Sequence, residues 1–194
     1  VYSLGGLTAN DMTLGNSPSW SANGLVFNGT NQDGTISDFL ASGETTLFAR
    51  MNTWTPETTT TVVGLISHWD GTISQRSTIL GGRLSAEAFF SSNDGSGSTF
   101  GQATPDAAGY AVDRTYVGNW NGSINKNFIW RDKTLVADDF AQSTLHDSTA
   151  DIVIMRVGNS SNYATGTMKA AAMVEGVTLT TTQREAITDY INAL

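Results

Sequence analysis

The chain has 194 residues, no cysteine and a formal charge of −8 at pH 7, with only 14% of its residues charged. We expect a single domain over residues 1–194, since the length suits one domain of ordinary size. The lack of cysteine excludes disulfides and Cys-ligated zinc. An acidic chain without a Lys/Arg cluster is a poor partner for nucleic acid. No run of about 18 apolar residues is present, so membrane insertion is not expected either.

Short apolar runs bounded by Gly, Asn and Ser recur along the chain, a pattern typical of strands in antiparallel sheet proteins. The Asn-Gly and Asp-Gly pairs between these runs supply the positive φ that hairpin turns require. The predicted strands, in chain order, centre on Leu25, Phe48, Leu65, Ile79, Val117, Ile129 and Ile154, followed by residues 168–177.

The clearest alternation lies in residues 83–90, RLSAEAFF. In one continuous strand, Leu84, Ala86, Ala88 and Phe90 would lie on the same face, because side chains alternate with a period of two. This segment therefore predicts a single strand with one face in the core.

The segment after Leu179 has helical spacing instead. Apolar side chains recur at i, i+3, i+4 and i+7: Ile187, Tyr190, Ile191 and Leu194. Two pairs have the spacing of a capping box: Thr180 with Gln183, and Thr182 with Glu185. Many strands and one terminal helix predict an all-β fold, a two-sheet antiparallel jelly-roll sandwich with a short C-terminal helix.

Catalytic patterns are missing at the level of local sequence. Glycoside cleavage needs two carboxylates about 5 to 10 Å apart, and residues i and i+2 share a face of a strand. None of the five glutamates has an acidic residue two positions away. His68 and His146 are the only histidines, without the spacing of a zinc site. We therefore expect no enzymatic activity.

Aromatic residues suggest carbohydrate binding, because sugar rings stack on exposed Trp and Tyr faces while polar side chains bind their hydroxyls. The strongest cluster is SHWDG, at the end of a predicted strand. The predicted ligand-binding residues are His68, Trp69, Asp70, Arg76 and Trp120. A role for these aromatic residues in the core stays open, because Trp side chains are commonly buried.

Residues 27–36, FNGTNQDGTI, combine a glycosylation sequon, part of a calcium loop and two glycine turns. An EF-hand alignment would put Gly29 and Leu40 where carboxylates are required, so that motif is excluded. The turn interpretation is favoured: Phe27 ends a strand, Asn28-Gly29 turns the chain and Gly34 starts the next strand. A metal site of another kind, using Asn28 or Asp33 and holding a structural calcium, remains an alternative.

The order of the segments also resembles a known family. The sequences GLVFNGTNQDGTISDF, TTLFARMN, GLISHWDGTISQRSTILGGRLSAEAFFSSNDGS, TYVGNWNGSINKNFIWRDKTL and VGNSSNYATGTMKAAAMVEGVTLTTTQREAITDYINAL together resemble a laminin-G-like domain. Such domains belong to the concanavalin A-like lectin/glucanase superfamily, and the resemblance is to versions in bacteriophage structural proteins and secreted bacterial proteins.

This resemblance covers nearly the whole chain and implies a jelly roll that is usually non-catalytic, often binds carbohydrate or protein, and sometimes holds calcium. Many relatives carry an acidic calcium ligand in the penultimate strand, where this chain has Ala170 and Ala171. That departure argues against the calcium.

The sequence thus predicts a lectin-like binding or adhesion module for a surface glycan, extracellular or on a virion surface. The alternative is a virion decoration, fibre or tail subunit that acts through protein-protein contacts and binds no sugar. A polysaccharide-degrading enzyme of the same superfamily is a third, less favoured class.

Overall fold

The computed structural model describes residues 12–37, 44–56, 62–69, 76–83, 87–95, 100–103, 113–141, 144–158 and 160–194. Within these residues the chain forms two seven-stranded sheets in which every paired strand is antiparallel. The predicted antiparallel two-sheet architecture is therefore confirmed.

The first sheet, sheet A, has the order β1 (Thr13–Gly15), β4 (Asp33–Ile36), β13 (Ile152–Ile154), β6 (Val63–Trp69), β7 (Arg76–Arg83), β8 (Glu87–Asn93) and β9 (Phe100–Ala103). Sheet B has the order β12 (Thr134–Phe140), β11 (Lys126–Arg131), β10 (Arg114–Asn121), β5 (Thr45–Pro56), β14 (Ala164–Glu175), β3 (Gly24–Asn28) and β2 (Ser19–Ser21). The single helix of the described residues is α1 (Thr181–Asn192).

The main core lies between the sheets and is built from large apolar side chains. Trp54 and Tyr116 meet edge to face, with ring centroids 5.9 Å apart, and pack in the same cluster as Phe27 and Phe90. Burying one such side chain stabilises the fold by roughly 1.5 to 3 kcal/mol. This cluster is what holds the two sheets together.

Helix α1 covers the outer face of sheet B. Ile191 packs with Phe48, Val117 and Trp130 in a second apolar cluster, and the guanidinium of Arg184 lies 4.1 Å from the centre of the Trp130 ring. The predicted helix is confirmed. Because the helix lies on these strands, part of the outer face of sheet B is closed to a ligand.

The helix begins with one of the two predicted capping boxes. The side chain of Thr180 accepts a hydrogen bond from the backbone N–H of Gln183, whose own side chain accepts one from the backbone N–H of Thr180. This reciprocal pair satisfies two amide groups that have no partner inside the helix. The capping box thus fixes the residue at which the helix starts.

The prediction of one strand over residues 83–90 is wrong. Strand β7 ends at Arg83, β8 begins at Glu87, and the two residues pair across a hairpin. Phe89 and Phe90 are both buried, but in different clusters, Phe90 between the sheets and Phe89 with Trp69 and Ile79. Both faces of sheet A are covered at this point. The alternation of apolar residues in the sequence therefore did not distinguish one continuous strand from two paired strands.

The other predicted strands are confirmed, but one is shorter than expected and further strands are present. The strand around Ile154 is only three residues long, because Met155 adopts a left-handed φ of 62° and interrupts it. Strands β1, β2, β9 and β12 were not predicted. In the part of the chain that the structure describes, no helix is long and apolar enough to cross a membrane.

Candidate binding surface

Trp20 is the one exposed tryptophan of the five in the chain, all of which the structure describes. Its exposed fraction is 68%, whereas Trp54, Trp69, Trp120 and Trp130 are at most 9% exposed. Exposing an indole ring to water is unfavourable in free energy, and a large exposed aromatic side chain often marks a site where a ligand or a partner binds. Trp20 is therefore the starting point for a binding site.

A tight hairpin positions this ring. Trp20 in β2 pairs directly with Leu25 in β3, so the two side chains share a face of sheet B, and Leu25 is buried in the core. At the hairpin tip the Ser21 hydroxyl donates to the carbonyl of Gly24 (3.0 Å) and accepts the N–H of Asn23 (3.1 Å). The strand that carries Trp20 is thus anchored by a core residue on one side and closed by hydrogen bonds at its tip.

Gly24 has to be a glycine at this tip. Its φ is +117°, a conformation that other residues rarely adopt, and a Cβ there would lie 2.4 Å from the carbonyl oxygen of Met168. The close approach lets β3 pair with β14, where Met168 is opposite Leu25. The hairpin is therefore held against the body of sheet B.

The loop before Trp20 is fastened to the turn between β3 and β4. Gln32 Nε2 donates to the carbonyls of Asn16 (3.2 Å) and Ser17 (3.1 Å), and Asn16 Nδ2 donates to the carbonyl of Asn31 (2.6 Å). The backbone N–H of Asn28 donates to Gln32 Oε1 (2.8 Å). These bonds join residues 16–20 and the Asn-Gly turn into one unit.

The turn itself follows the interpretation made from the sequence. Gly29 has a φ of +73°, and the Oδ1 atom of Asn28 accepts the backbone N–H groups of Thr30 (2.9 Å) and Asn31 (3.2 Å). Strand β4 begins at Asp33, one residue before the predicted start. The Asn28 side chain therefore has a structural role in shaping this turn.

We call the exposed side chains of this unit the Trp20 surface: Ser17, Trp20, Asn23, Thr30 and Asn31. Ser19, Ser21 and Asn28 are exposed as well, but they alternate with the inward-facing residues of β2 and β3 and therefore point to the other face of sheet B. The surface combines one aromatic ring with hydroxyl and amide groups that can both donate and accept hydrogen bonds. Those are the two kinds of contact that a sugar ring requires, since it has apolar C–H faces and hydroxyl edges.

The residues predicted from the sequence lie elsewhere and in two groups. His68 is fully buried, with Nε2 3.1 Å from the carbonyl oxygen of Ser148. Trp69 packs in the apolar cluster of Ile79 and Phe89, and the Arg76 guanidinium lies 5.3 Å from the centre of its ring. Asp70 lies outside the described residues.

Trp120 is buried between the sheets, in the main core cluster, and so is separated from Trp69. In this conformation neither ring offers a face to a ligand. The structure thus places the Trp69–Arg76 pair in one cluster and His68 and Trp120 in the interior. A ligand site formed by these residues together with Asp70 stays a prediction.

The two candidate metal ligands are engaged with protein donors. A carboxylate oxygen of Asp33 lies 3.0 Å from Arg156 Nε, and the Asn28 oxygen caps its own turn. Calcium takes six to eight oxygen ligands, and among the described residues no group of three or more His, Asp or Glu could hold a metal ion. Asn28 and Asp33 do not fit a calcium site in this arrangement, and calcium binding there remains a prediction without structural support.

A groove of about 380 Å³ lies between α1 and β14. Its lining is apolar apart from the Tyr190 hydroxyl and backbone atoms: Ala170, Ala171, Ala172, Ala186, Ile187, Tyr190, Ile191 and Leu194. Sugar recognition depends on several convergent polar groups. The Trp20 surface is the better candidate for a polar ligand.

Comparisons with known proteins give the fold but no family. No protein-family model matches the chain, and no curated protein sequence matches it. Among solved structures, the chain is similar to the binding domain of Paraclostridial Mosquitocidal Protein 1, with a TM-score of 0.66 and 8% identity over 93% of this chain and 47% of that one.

The receptor-binding domain of botulinum neurotoxin type G is similar as well, with a TM-score of 0.65 and 11% identity over 94% of this chain and 46% of that one. A third match is the CBM40 domain of the Ruminococcus gnavus IT-sialidase, bound to α2,3-sialyllactose, with a TM-score of 0.56 and 14% identity over 76% of this chain and 84% of that one.

The chain spans about half the length of the two toxin domains. Identities this low show a shared β-sandwich fold and nothing further about the site. The sandwich implied by the sequence resemblance is confirmed, and the laminin-G-like assignment stays a prediction.

Proposed function

We propose that this chain is a non-catalytic carbohydrate-binding module that recognises a surface glycan through the Trp20 surface. The observation that carries the proposal is the 68% exposure of Trp20 on a hairpin fixed by Leu25 and by the Ser21 hydrogen bonds. A hairpin whose backbone is fixed before the ligand arrives does not have to be ordered on binding, which favours affinity.

The fold comparisons support a binding role. The two toxin domains are described as binding and receptor-binding domains, and the sialidase CBM40 was solved with an oligosaccharide bound. The partner proposed here is a cell-surface glycan, and the location is extracellular or on a virion surface.

The competing proposal is a virion decoration, fibre or tail subunit that works through protein-protein contacts. In that case a neighbouring subunit, and not a sugar, would cover Trp20. The two proposals differ in what removing the ring does: it abolishes glycan binding in the first and weakens subunit assembly in the second.

A glycan array with three proteins tests the proposal: wild type, Trp20→Ala and Phe140→Ala. Phe140 is 66% exposed and lies on β12, the opposite edge strand of the same sheet, so it is a matched control for loss of an exposed aromatic ring. We expect wild type and Phe140→Ala to bind the same glycans, and Trp20→Ala to bind them about tenfold more weakly or not at all.

The array also tests the residues predicted from the sequence. Arg76→Ala removes the cation over Trp69 without emptying the core, because Arg76 is only partly buried. Loss of glycan binding in Arg76→Ala, with full binding in Trp20→Ala, would move the site to the His68–Arg76 region. Wild type that binds no glycan, but assembles in a Trp20-dependent way, would favour the subunit proposal.

A further inference from the structure

We infer that the Trp20 surface selects neutral sugars and discriminates against sialylated and sulfated ones. The inference rests on the proposed function and specifies its ligand class. It depends on the charges around Trp20, which the exposure of the ring by itself does not reveal.

The Trp20 surface is built from an uncharged stretch of chain. Residues 13–32 contain no Asp, Glu, Lys or Arg. The polar groups there are hydroxyls and amides, which form neutral hydrogen bonds. A carboxylate or sulfate ligand is held best by Arg, Lys or a similar charged donor, because charge-assisted hydrogen bonds are about twice as strong as neutral ones.

The cations at the border of this stretch are already paired. Arg156 Nε lies 3.0 Å from the carboxylate of Asp33, the first charged residue after the stretch, and its guanidinium lies 5.6 Å from the centre of the Tyr163 ring. Lys169, which follows the residue opposite Leu25, has its Nζ 2.5 Å from Asp113. Taking Arg156 for a ligand would remove the cation paired with Asp33, and taking Lys169 would remove one of the two cations, with Arg50, that hold Asp113.

The charge of the whole chain acts in the same direction. A formal charge of −8 repels an anionic ligand, over a range of about 8 Å at physiological ionic strength. An anionic group that binds here also loses part of its hydration without gaining an opposite charge. The sialyllactose bound to the CBM40 neighbour is therefore a guide to the fold and not to the ligand of this chain.

An array in which each neutral glycan is printed beside its sialylated and sulfated forms tests the inference. We expect wild type to bind neutral members about tenfold more tightly than their anionic partners, and Trp20→Ala to lose the neutral ones. Binding of neutral glycans should also change less than about twofold between roughly 0.05 M and 0.5 M NaCl, because no ion pair forms.

A gain-of-charge variant gives a second measurement. Ala22→Lys places a cation at an exposed turn position two residues from Trp20, and Ala22→Gln is the matched neutral control. We expect Ala22→Lys to raise binding of sialylated glycans several-fold relative to their neutral partners, and Ala22→Gln to leave the ratio unchanged.

The outcomes separate the two proposals. Preferential, Trp20-dependent binding of sialylated or sulfated glycans would overturn the inference and leave the carbohydrate-binding function standing. Absence of any glycan binding, or neutral binding that Trp20→Ala leaves intact, would overturn the proposed site and this inference together.

Discussion

Ser92 in sheet A donates a 2.9 Å hydrogen bond from its hydroxyl to the side-chain oxygen of Asn127 in sheet B, inside the sandwich. In sheet A, Ser92 is opposite Thr78, and Thr78 is opposite His68. All four side chains are buried. This end of the interior is therefore polar, and His68, predicted as a ligand-binding residue, lies in a row of polar side chains that joins the two sheets.

Replacing Ser92 with Ala should destabilise the fold by about 1 to 3 kcal/mol, because the Asn127 oxygen loses a buried donor. Urea unfolding of the two proteins measures the difference. In the double variant Ser92→Ala with Asn127→Leu, the cost should be clearly less than the sum of the two single changes, since neither partner is left alone. Additive costs would show that the bond does not couple the sheets.

Trp20 should account for most of the fluorescence that a polar quencher can reach. Acrylamide should quench wild type strongly and the Trp20→Phe variant weakly, because the other four tryptophans are at most 9% exposed. The measurement is a Stern–Volmer titration of each protein. Equal quenching of the two proteins would mean that the Trp20 ring is covered in solution, and the proposed site would then lose its main support.

Trp69→Ala and Trp20→Ala should differ sharply in stability. Removing the buried Trp69 ring from its contacts with Ile79 and Phe89 should cost about 3 to 5 kcal/mol, while the exposed Trp20 ring should change stability by only about 0.5 kcal/mol or less. Thermal and urea unfolding give both values. A stable Trp69→Ala protein that had lost glycan binding would instead support the site predicted from the sequence.

Asp113 should contribute stability that acid removes. Hydrogen bonding from Arg50, and then from Lys169, holds the pKa of the Asp113 carboxyl below its ordinary value, against an opposing effect of burial. Because the pKa of Asp113 is lower in the folded state, the ionised carboxylate stabilises the fold in full above the unfolded-state pKa of about 3.9. This stabilisation is lost as the pH falls through the folded-state pKa.

Asp113→Asn should therefore be less stable than wild type at pH 7, and the difference should shrink as the pH falls below about 4. Melting temperatures of both proteins across this range provide the measurement, with Asp113→Glu as the variant that keeps the charge. Arg50 also donates to the carbonyl of Ile191 in α1 (3.0 Å), so its pairing with Asp113 supports the docked helix. A difference that does not change with pH would exclude ionisation of Asp113 as the cause.

Calcium should leave the melting temperature unchanged, because the oxygens of Asn28 and Asp33 are engaged with the turn amides and with Arg156. A ligand that binds only the folded state raises its stability by mass action, so a thermal melt with increasing calcium is a sensitive assay. A rise in melting temperature that Asp33→Asn abolishes would establish the metal site that was left open from the sequence.

The sequence predicted the elements whose burial has a regular period. Helix α1 was predicted because its apolar spacing and capping box are local signals. Strand β12 was missed because it is an edge strand with mostly exposed side chains and no alternation. The division between β7 and β8 was missed because the alternation of Leu84, Ala86, Ala88 and Phe90 in the sequence continues across the gap between Arg83 and Glu87, where one strand ends and the next begins.

Trp20 was missed for a related reason. It lies in SPSWSANG, where no other large apolar residue is nearby to indicate a strand, whereas the other tryptophans lie in or beside apolar runs. This isolation in the sequence could have indicated that Trp20 is exposed, because a tryptophan among Ser, Asn and Pro has few apolar neighbours with which to be buried. The hydrogen bonds from Gln32 to Asn16 and Ser17 depend on the folded chain and could not be read from sequence spacing.

The brevity of β2 has a consequence for self-association. An edge strand with unpaired N–H and C=O groups can recruit a strand from another molecule and start aggregation, and short edges resist this. Strand β2 is three residues long, whereas β12 at the opposite edge is longer and carries Asp138 and Asp139. One edge of sheet B is protected by its shortness and the other by charge, so the sheet exposes the indole of Trp20 without offering a long uncharged strand edge to another molecule.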